Sequence, residues 1–214
     1  MVENKDHTLF KYKQIELPFK SQPFASLCEK GIHVFPSAKK KEAPPNPRCI
    51  YCDRVTVEWD RVRDCNFLDI EYTISALKGE LCRYEMWTKE IDIKAVNHAK
   101  RKGRTELISY VQKRILSSIG IVYPQPDGKH RPFRDGFQTP YSGNIVYYAQ
   151  HATACCCRKC VFRWHGIDQH RDLTIDEINY FTKLIMYYID IRIPLLTTNG
   201  ERVPHIRHRI TTRK

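Results

Sequence analysis

Apolar residues recur at helical spacing in two stretches of the first 120 positions. Ile70, Ile74, Leu77 and Leu81 repeat every three or four residues, the period of a helix with one buried face. A longer stripe lies between two glycines, which favour helix ends, and consists of Leu107, Ile108, Val111, Ile115 and Ile119. The pattern predicts two amphipathic helices.

A third helix is predicted from its start and stop residues. Thr174 and Glu177 have the spacing of a capping box, in which each side chain accepts a hydrogen bond from the other residue's backbone N–H. Apolar residues then continue at helical spacing, and Pro194, which cannot donate a helical hydrogen bond, marks the end.

Short apolar runs at 31–35, 55–59 and 145–148 predict strands. The proline-rich run at 44–47 interrupts regular structure. We therefore expect an α+β fold: a small, helix-dominated domain with a Cys/His-rich loop and a short sheet, plus an irregular N-terminal module. The expected segments are an extended arm (1–45), a CxxC-containing segment (46–93), a helical domain (94–192) and a basic tail (193–214).

Positive charge is concentrated in two short segments. The 214-residue chain has a formal net charge of +12, of which +5 lies in residues 94–104 and +4 in residues 201–214. Such clusters can bind nucleic-acid phosphates, a protein partner or the nuclear import machinery, although a solvated helix end and a frayed terminus have the same composition. The predicted contact residues are Lys100, Arg101, Lys102, Arg104, Arg207 and Arg209.

The nine cysteines are expected to be reduced. No apolar run approaches the roughly 20 residues of a membrane helix, and the polar N-terminus has no apolar signal region. We therefore expect a nuclear or cytoplasmic protein, in which cysteines serve as metal ligands or as buried thiols rather than as disulfides.

Cysteine and histidine are densest between residues 151 and 165. Zinc takes four nitrogen or sulfur donors, and the CxxC spacing of Cys157 and Cys160 lets a tight turn direct both sulfurs at one ion. Three successive cysteines cannot all bind one ion in a regular backbone, so we expect Cys155 to be spare. The predicted metal ligands here are His151, Cys156, Cys157, Cys160 and His165.

A second CxxC pair, Cys49 and Cys52, allows two arrangements. The pair can share one four-thiolate site with Cys157 and Cys160, or it can form its own site with two further ligands. The candidates for those further ligands are Cys28, His33, Cys65, Cys82 and His98.

The segment from Ala149 to Cys160, read with Trp164-His165-Gly166-Ile167, resembles the domain of unknown function 4186 family. That family's hallmark approximates AQHATATCCRxC followed by KWHGI. Here Cys155 replaces the threonine and Arg163 replaces the lysine. The resemblance covers residues 94 to 192 approximately and implies that the candidate functional residues are the two histidines and the three matching cysteines of this segment, but it implies no reaction.

Three function classes follow. The first is a zinc-binding protein with a structural ion that contacts nucleic acid or a protein partner through its basic segments. The second is a metal- or thiol-dependent enzyme that uses the cluster of residues 151–165. Zinc deaminase chemistry is disfavoured, because it needs a carboxylate two residues after the histidine and Thr153 stands there. The third possibility is a scaffold in which the cysteines are packed thiols.

Overall fold

A computed structural model describes residues 24–36, 46–121, 123–124, 130–131 and 139–203. Most of the predicted N-terminal arm, and Arg207 and Arg209 of the basic tail, lie outside the described residues. The helices are α1 (Phe24–Glu29), α2 (Trp59–Arg63), α3 (Ile70–Lys78), α4 (Leu81–Thr88), α5 (Ile93–Ile115), α6 (Ile145–Ala152), α7 (Arg158–His165) and α8 (Ile175–Arg192). A 3₁₀ turn (Phe67–Asp69) precedes α3, and a π-helical turn (Leu116–Gly120) follows α5.

The expected α+β fold with a short sheet is wrong. Helices build the core, and the strand pairing within the described residues is a two-residue ladder between β1 (Tyr123–Pro124) and β2 (His130–Arg131). Of the three predicted strands, 31–35 contributes a single bridge between His33 and Glu80, and α2 begins at the last residue of 55–59.

The third predicted strand, 145–148, is the first turn of α6. Asn144 caps this helix by accepting a hydrogen bond from the Val146 backbone N–H at 2.9 Å. The helix packs against α4, α5 and α8, so nearly all of its side chains are buried. A helix buried on all sides has a continuous apolar sequence, which has no helical period to distinguish it from a buried strand.

The three predicted helices are confirmed. The α3 stripe is split at Gly79, so that Leu81 begins α4. At α8 the capping box is present: Thr174 Oγ1 accepts from Glu177 N at 3.2 Å, and Glu177 Oε2 accepts from Thr174 N at 2.8 Å. Helix α8 packs against α5 and α6, and these contacts form the main apolar core.

The N-terminal segment (24–36 and 46–58) docks on the turn between α3 and α4. His33 N donates to Gly79 O at 2.7 Å, and Leu81 N donates to His33 O at 2.8 Å. Beside this pairing the ring of Phe35 meets those of Trp59 and Trp164, with centroids 5.4 and 6.0 Å away. No helix among the described residues is long and apolar enough to cross a membrane.

Candidate metal centres

Four side chains of the N-terminal segment converge on one point. The ligand atoms of Cys28, His33, Cys49 and Cys52 all lie within 4.8 Å of one another. We call this group the N-terminal centre. Cys28 is on α1, and a turn through Gly31, which has a positive φ of 75°, returns the chain to His33.

The CxxC half of the N-terminal centre is a tight turn. Asp53 N donates to Cys49 O at 3.0 Å, and Cys49 N donates to Arg54 O at 3.1 Å. Ile50 N donates to Val34 O at 2.9 Å, which ties this turn to the His33 segment. Backbone hydrogen bonds, rather than side-chain packing alone, thus bring the two pairs of ligands together.

The spacing of these donor atoms matches the edges of a coordination tetrahedron. Cys28 Sγ lies 3.6 Å from Cys49 Sγ, and Cys52 Sγ lies 3.5 Å from His33 Nδ1. An ion with bonds of about 2.0–2.3 Å to nitrogen and sulfur holds its ligands about 3.3–3.8 Å apart. The group can therefore hold a metal ion.

The thiols of this centre differ in their pKa values. Burial alone would raise the pKa of Cys49, but the backbone N–H groups of Cys52, Tyr51 and Val34 and the side chain of His33 lower it to about 6. Burial, followed by hydrogen bonding to the other two thiols, raises the pKa of Cys28 to about 12. One sulfur is thus already stabilised as the thiolate, the form that binds metal.

Three further sulfurs meet at the start of α7. The Sγ atoms of Cys156, Cys157 and Cys160 lie within 4.8 Å of one another, and Cys156 Sγ donates to Cys160 Sγ at 3.5 Å. We call them the three-sulfur group. Cys157 is the N-cap residue of α7 and Cys160 lies in its first turn, where the helix dipole favours anionic sulfur.

Cys155 is outside this group, as expected from the sequence. Its buried Sγ lies 3.0 Å from Thr153 Oγ1, and burial raises its pKa to about 12. It packs as a small apolar residue.

Neither histidine predicted as a ligand belongs to a group of three or more clustered donors in the described chain. His151 Nε2 donates to Thr139 O at 2.9 Å, and its ring stacks on Tyr141 with centroids 4.0 Å apart. His165 Nε2 donates to Thr153 O at 3.1 Å, and burial lowers its pKa to about 4. Both imidazoles are held by backbone carbonyls.

The structure distinguishes the two arrangements predicted for Cys49 and Cys52. It groups them with Cys28 and His33, not with the three-sulfur group. It also reveals Arg83, which sequence reasoning missed: this buried guanidinium donates to Cys160 Sγ at 3.2 Å from 77 positions away. No local pattern marks such a residue.

The basic segment of α5 is partly neutralised within the chain. Lys102 pairs with Glu106. Arg104 Nε and Nη2 donate to the two carboxylate oxygens of Asp190, at 3.1 and 2.7 Å. Lys100 and Arg101 are half-buried. The segment therefore presents less free charge than its composition indicates.

The fold and these two groups define a helical protein with two clusters of side chains that could hold a metal ion. The family model of a domain of unknown function, DUF4186, matches residues 73–190, and the chain belongs to this family. The match begins at residue 73 rather than at about 94, so it includes Arg83 as well as the three-sulfur group, whereas the N-terminal centre precedes it. No solved structure matches the chain.

Proposed function

We propose that the chain is a zinc protein in which an ion at the N-terminal centre fastens the N-terminal segment to the DUF4186 domain. The observation that supports this function is the convergence of three sulfurs and one imidazole nitrogen from two separate stretches of chain. Structural zinc sites have four protein ligands of these types, whereas calcium and magnesium prefer oxygen donors.

The need for an ion follows from the small apolar cluster of this segment. That cluster consists of Leu27, Ile32, Val34 and Leu81, with Tyr84 packed against it. Phe35 and Val57 add contacts with a second small cluster around Trp59 and Trp164. Short segments with few buried apolar residues commonly rely on a metal to fold. Because the ligand His33 also pairs through its backbone with Gly79 and Leu81, fixing its side chain fixes the contact with the domain.

The test compares Cys52→Ser with Cys65→Ser, a control at a half-buried cysteine outside both groups. In protein purified without chelators, we expect Cys52→Ser to lose one equivalent of zinc and to expose residues 24–36 and 46–58 to limited proteolysis. The control should keep both its zinc and its protection. Equal zinc content in Cys52→Ser and the unsubstituted protein would contradict the proposal.

The partner contact is proposed as a second element of this function: the basic segments bind a nucleic acid or a protein partner. Its support is the concentration of charge in residues 94–104 and 201–214. We expect the affinity for random-sequence RNA to fall as the salt concentration rises. The double variant Lys100→Glu/Arg101→Glu should reduce the slope of log affinity against log salt concentration by about 2, because each phosphate contact contributes about 1. The exposed Lys113→Glu is the control; equal slopes for both variants would refute RNA contact by this segment.

The alternative function is a metal- or thiol-dependent enzyme. The three-sulfur group favours it, since catalytic zinc sites have three protein ligands and keep one position for water or substrate. The raised thiol pKa values argue against a metal-free nucleophile. Hydrogen bonds to Cys157 and Cys160, together with burial, raise the pKa of Cys156, and the pKa of Cys157 is raised to about 11.

A further inference from the structure

The three-sulfur group differs from the N-terminal centre in its number of donors. Within the part of the chain that the structure describes, no fourth Cys, His, Asp or Glu ligand atom lies within 4.8 Å of all three sulfurs. Cys156 and Cys160 are buried and Cys157 is half-buried, so the group lies near the protein surface on the side of Cys157.

A buried cation contacts this group. The Arg83 side chain is 4% exposed, and all three of its nitrogens are engaged. They donate to Glu80 Oε2 at 3.1 Å, to His151 O at 2.8 Å and to Cys160 Sγ at 3.2 Å. A neutral thiol is a weak acceptor, whereas a thiolate is a strong one for a charged donor.

The charges around Glu80 leave an excess of positive charge beside the sulfurs. Both Arg83 and Arg163 form ion pairs with the Glu80 carboxylate, at 3.1 and 2.9 Å, so two cations share one anion. Buried charge is costly unless it is compensated. Three thiolates around a divalent ion carry a net charge of −1 and supply this compensation.

We infer that Cys156, Cys157 and Cys160 hold a second divalent, thiophilic ion, and that its fourth position takes an exchangeable small donor from outside the chain, such as water or an anion. This inference rests on the proposed metal-binding function. Arg83 acts as a positioning residue, because its guanidinium fixes Cys160 and offsets the charge of the thiolates. The site lies within the DUF4186 domain, whereas the N-terminal centre does not.

The experiment uses the 214-residue chain loaded with Co²⁺, with azide as the probe of the fourth position. We expect two Co²⁺ equivalents in the unsubstituted protein and one each in Cys52→Ser and Cys160→Ser. Azide should shift the visible d–d absorption of the unsubstituted protein and of Cys52→Ser, but not that of Cys160→Ser. If only the N-terminal centre fails to bind Co²⁺, every variant that keeps Cys160 should still bind one Co²⁺ whose spectrum responds to azide.

Two results would overturn the inference. One is that the unsubstituted protein binds a single Co²⁺ equivalent and that Cys160→Ser still binds it. The other is a second equivalent whose spectrum azide does not change, which would mean that the chain itself fills the fourth position.

Arg83→Met tests the positioning role separately. Removing the charged donor should weaken Co²⁺ binding at the three-sulfur group by about 10- to 100-fold, the usual effect of losing a partner that orients a metal ligand. Arg83→Lys, which keeps the charge, should restore part of the affinity. Unchanged binding at the N-terminal centre shows that each variant is folded, and unchanged affinity at the three-sulfur group in Arg83→Met would contradict the role.

Discussion

Glu85 shows at the scale of one residue how the core constrains ionisation. Its carboxylate is buried on α4, and neither oxygen has a hydrogen-bond partner among the described residues. Burial raises its pKa to about 7, although Lys89 acts in the opposite direction. Between pH 4.5 and 7 the folded state therefore binds more protons than the unfolded state, so this residue makes stability fall as pH rises through that window.

Glu85→Gln should remove this dependence, because the amide has nearly the same shape and does not ionise. We expect the variant to unfold at the same denaturant concentration as the unsubstituted protein near pH 4.5 and to be more stable by about 2 kcal/mol at pH 8, allowing for solvent screening. Urea titrations at both pH values measure the difference. Glu90→Gln, at an exposed position, is the control. A gain in the stability of Glu85→Gln that is the same at both pH values would refute the raised pKa of Glu85.

At the scale of elements, the kink in α5 creates a docking point for the chain after α8. Gly103 has φ 65° and ψ 173° inside the helix, which frees backbone groups on either side. Arg104 N donates to Thr197 O at 2.8 Å, and Glu201 N donates to Lys100 O at the same distance. The segment that follows α8 is thereby fixed across the basic segment of α5.

Gly103→Ala should detach this segment. A Cβ at Gly103 would lie 2.3 Å from the Asn199 carbonyl carbon, and the positive φ adds strain, so we expect a loss of stability of about 3 kcal/mol or more. Gly31→Ala is the matched control, because its φ is also positive but no atom lies within 4 Å of the added Cβ; it should cost about 1 kcal/mol. Equal losses in thermal unfolding would contradict the docking argument.

These elements also show which features the sequence could predict. The start of α8 is encoded locally by Thr174 and Glu177, so it was predictable. Helix α6 was not, because a short apolar run fits a buried strand equally well. The CxxC turns are local, but the choice of Cys28 and His33 as partners depends on the pairing of His33 with Gly79 and Leu81, which are distant in sequence.

At the scale of the whole molecule, Glu80 connects the N-terminal centre with the three-sulfur group. Its backbone bridges to His33 of the N-terminal centre, and its carboxylate pairs with Arg83, which contacts the three-sulfur group. Trp164 Nε1 also donates to this carboxylate at 2.9 Å. The fully buried Glu80 is thus one of the contacts between the N-terminal segment and the DUF4186 domain.

Glu80→Gln should be strongly destabilising. It removes the anion that Arg83 and Arg163 share, and breaking a buried ion pair by removing one partner costs about 3–5 kcal/mol. The exposed pair of Glu58 and Arg61 is the control, since Glu58→Gln should change stability by less than about 1 kcal/mol. Similar unfolding free energies for the two variants would rule out the network as a stabilising connection.

The central claim is that the N-terminal centre is a zinc site with three sulfur ligands and one nitrogen ligand. X-ray absorption at the zinc edge of Cys160→Ser, which retains this centre and disrupts the three-sulfur group, tests it most directly. We predict zinc–sulfur distances of about 2.3 Å and one zinc–nitrogen distance of about 2.0 Å in a ratio of three to one. A shell of oxygen ligands, or protein that carries no zinc, would contradict the account.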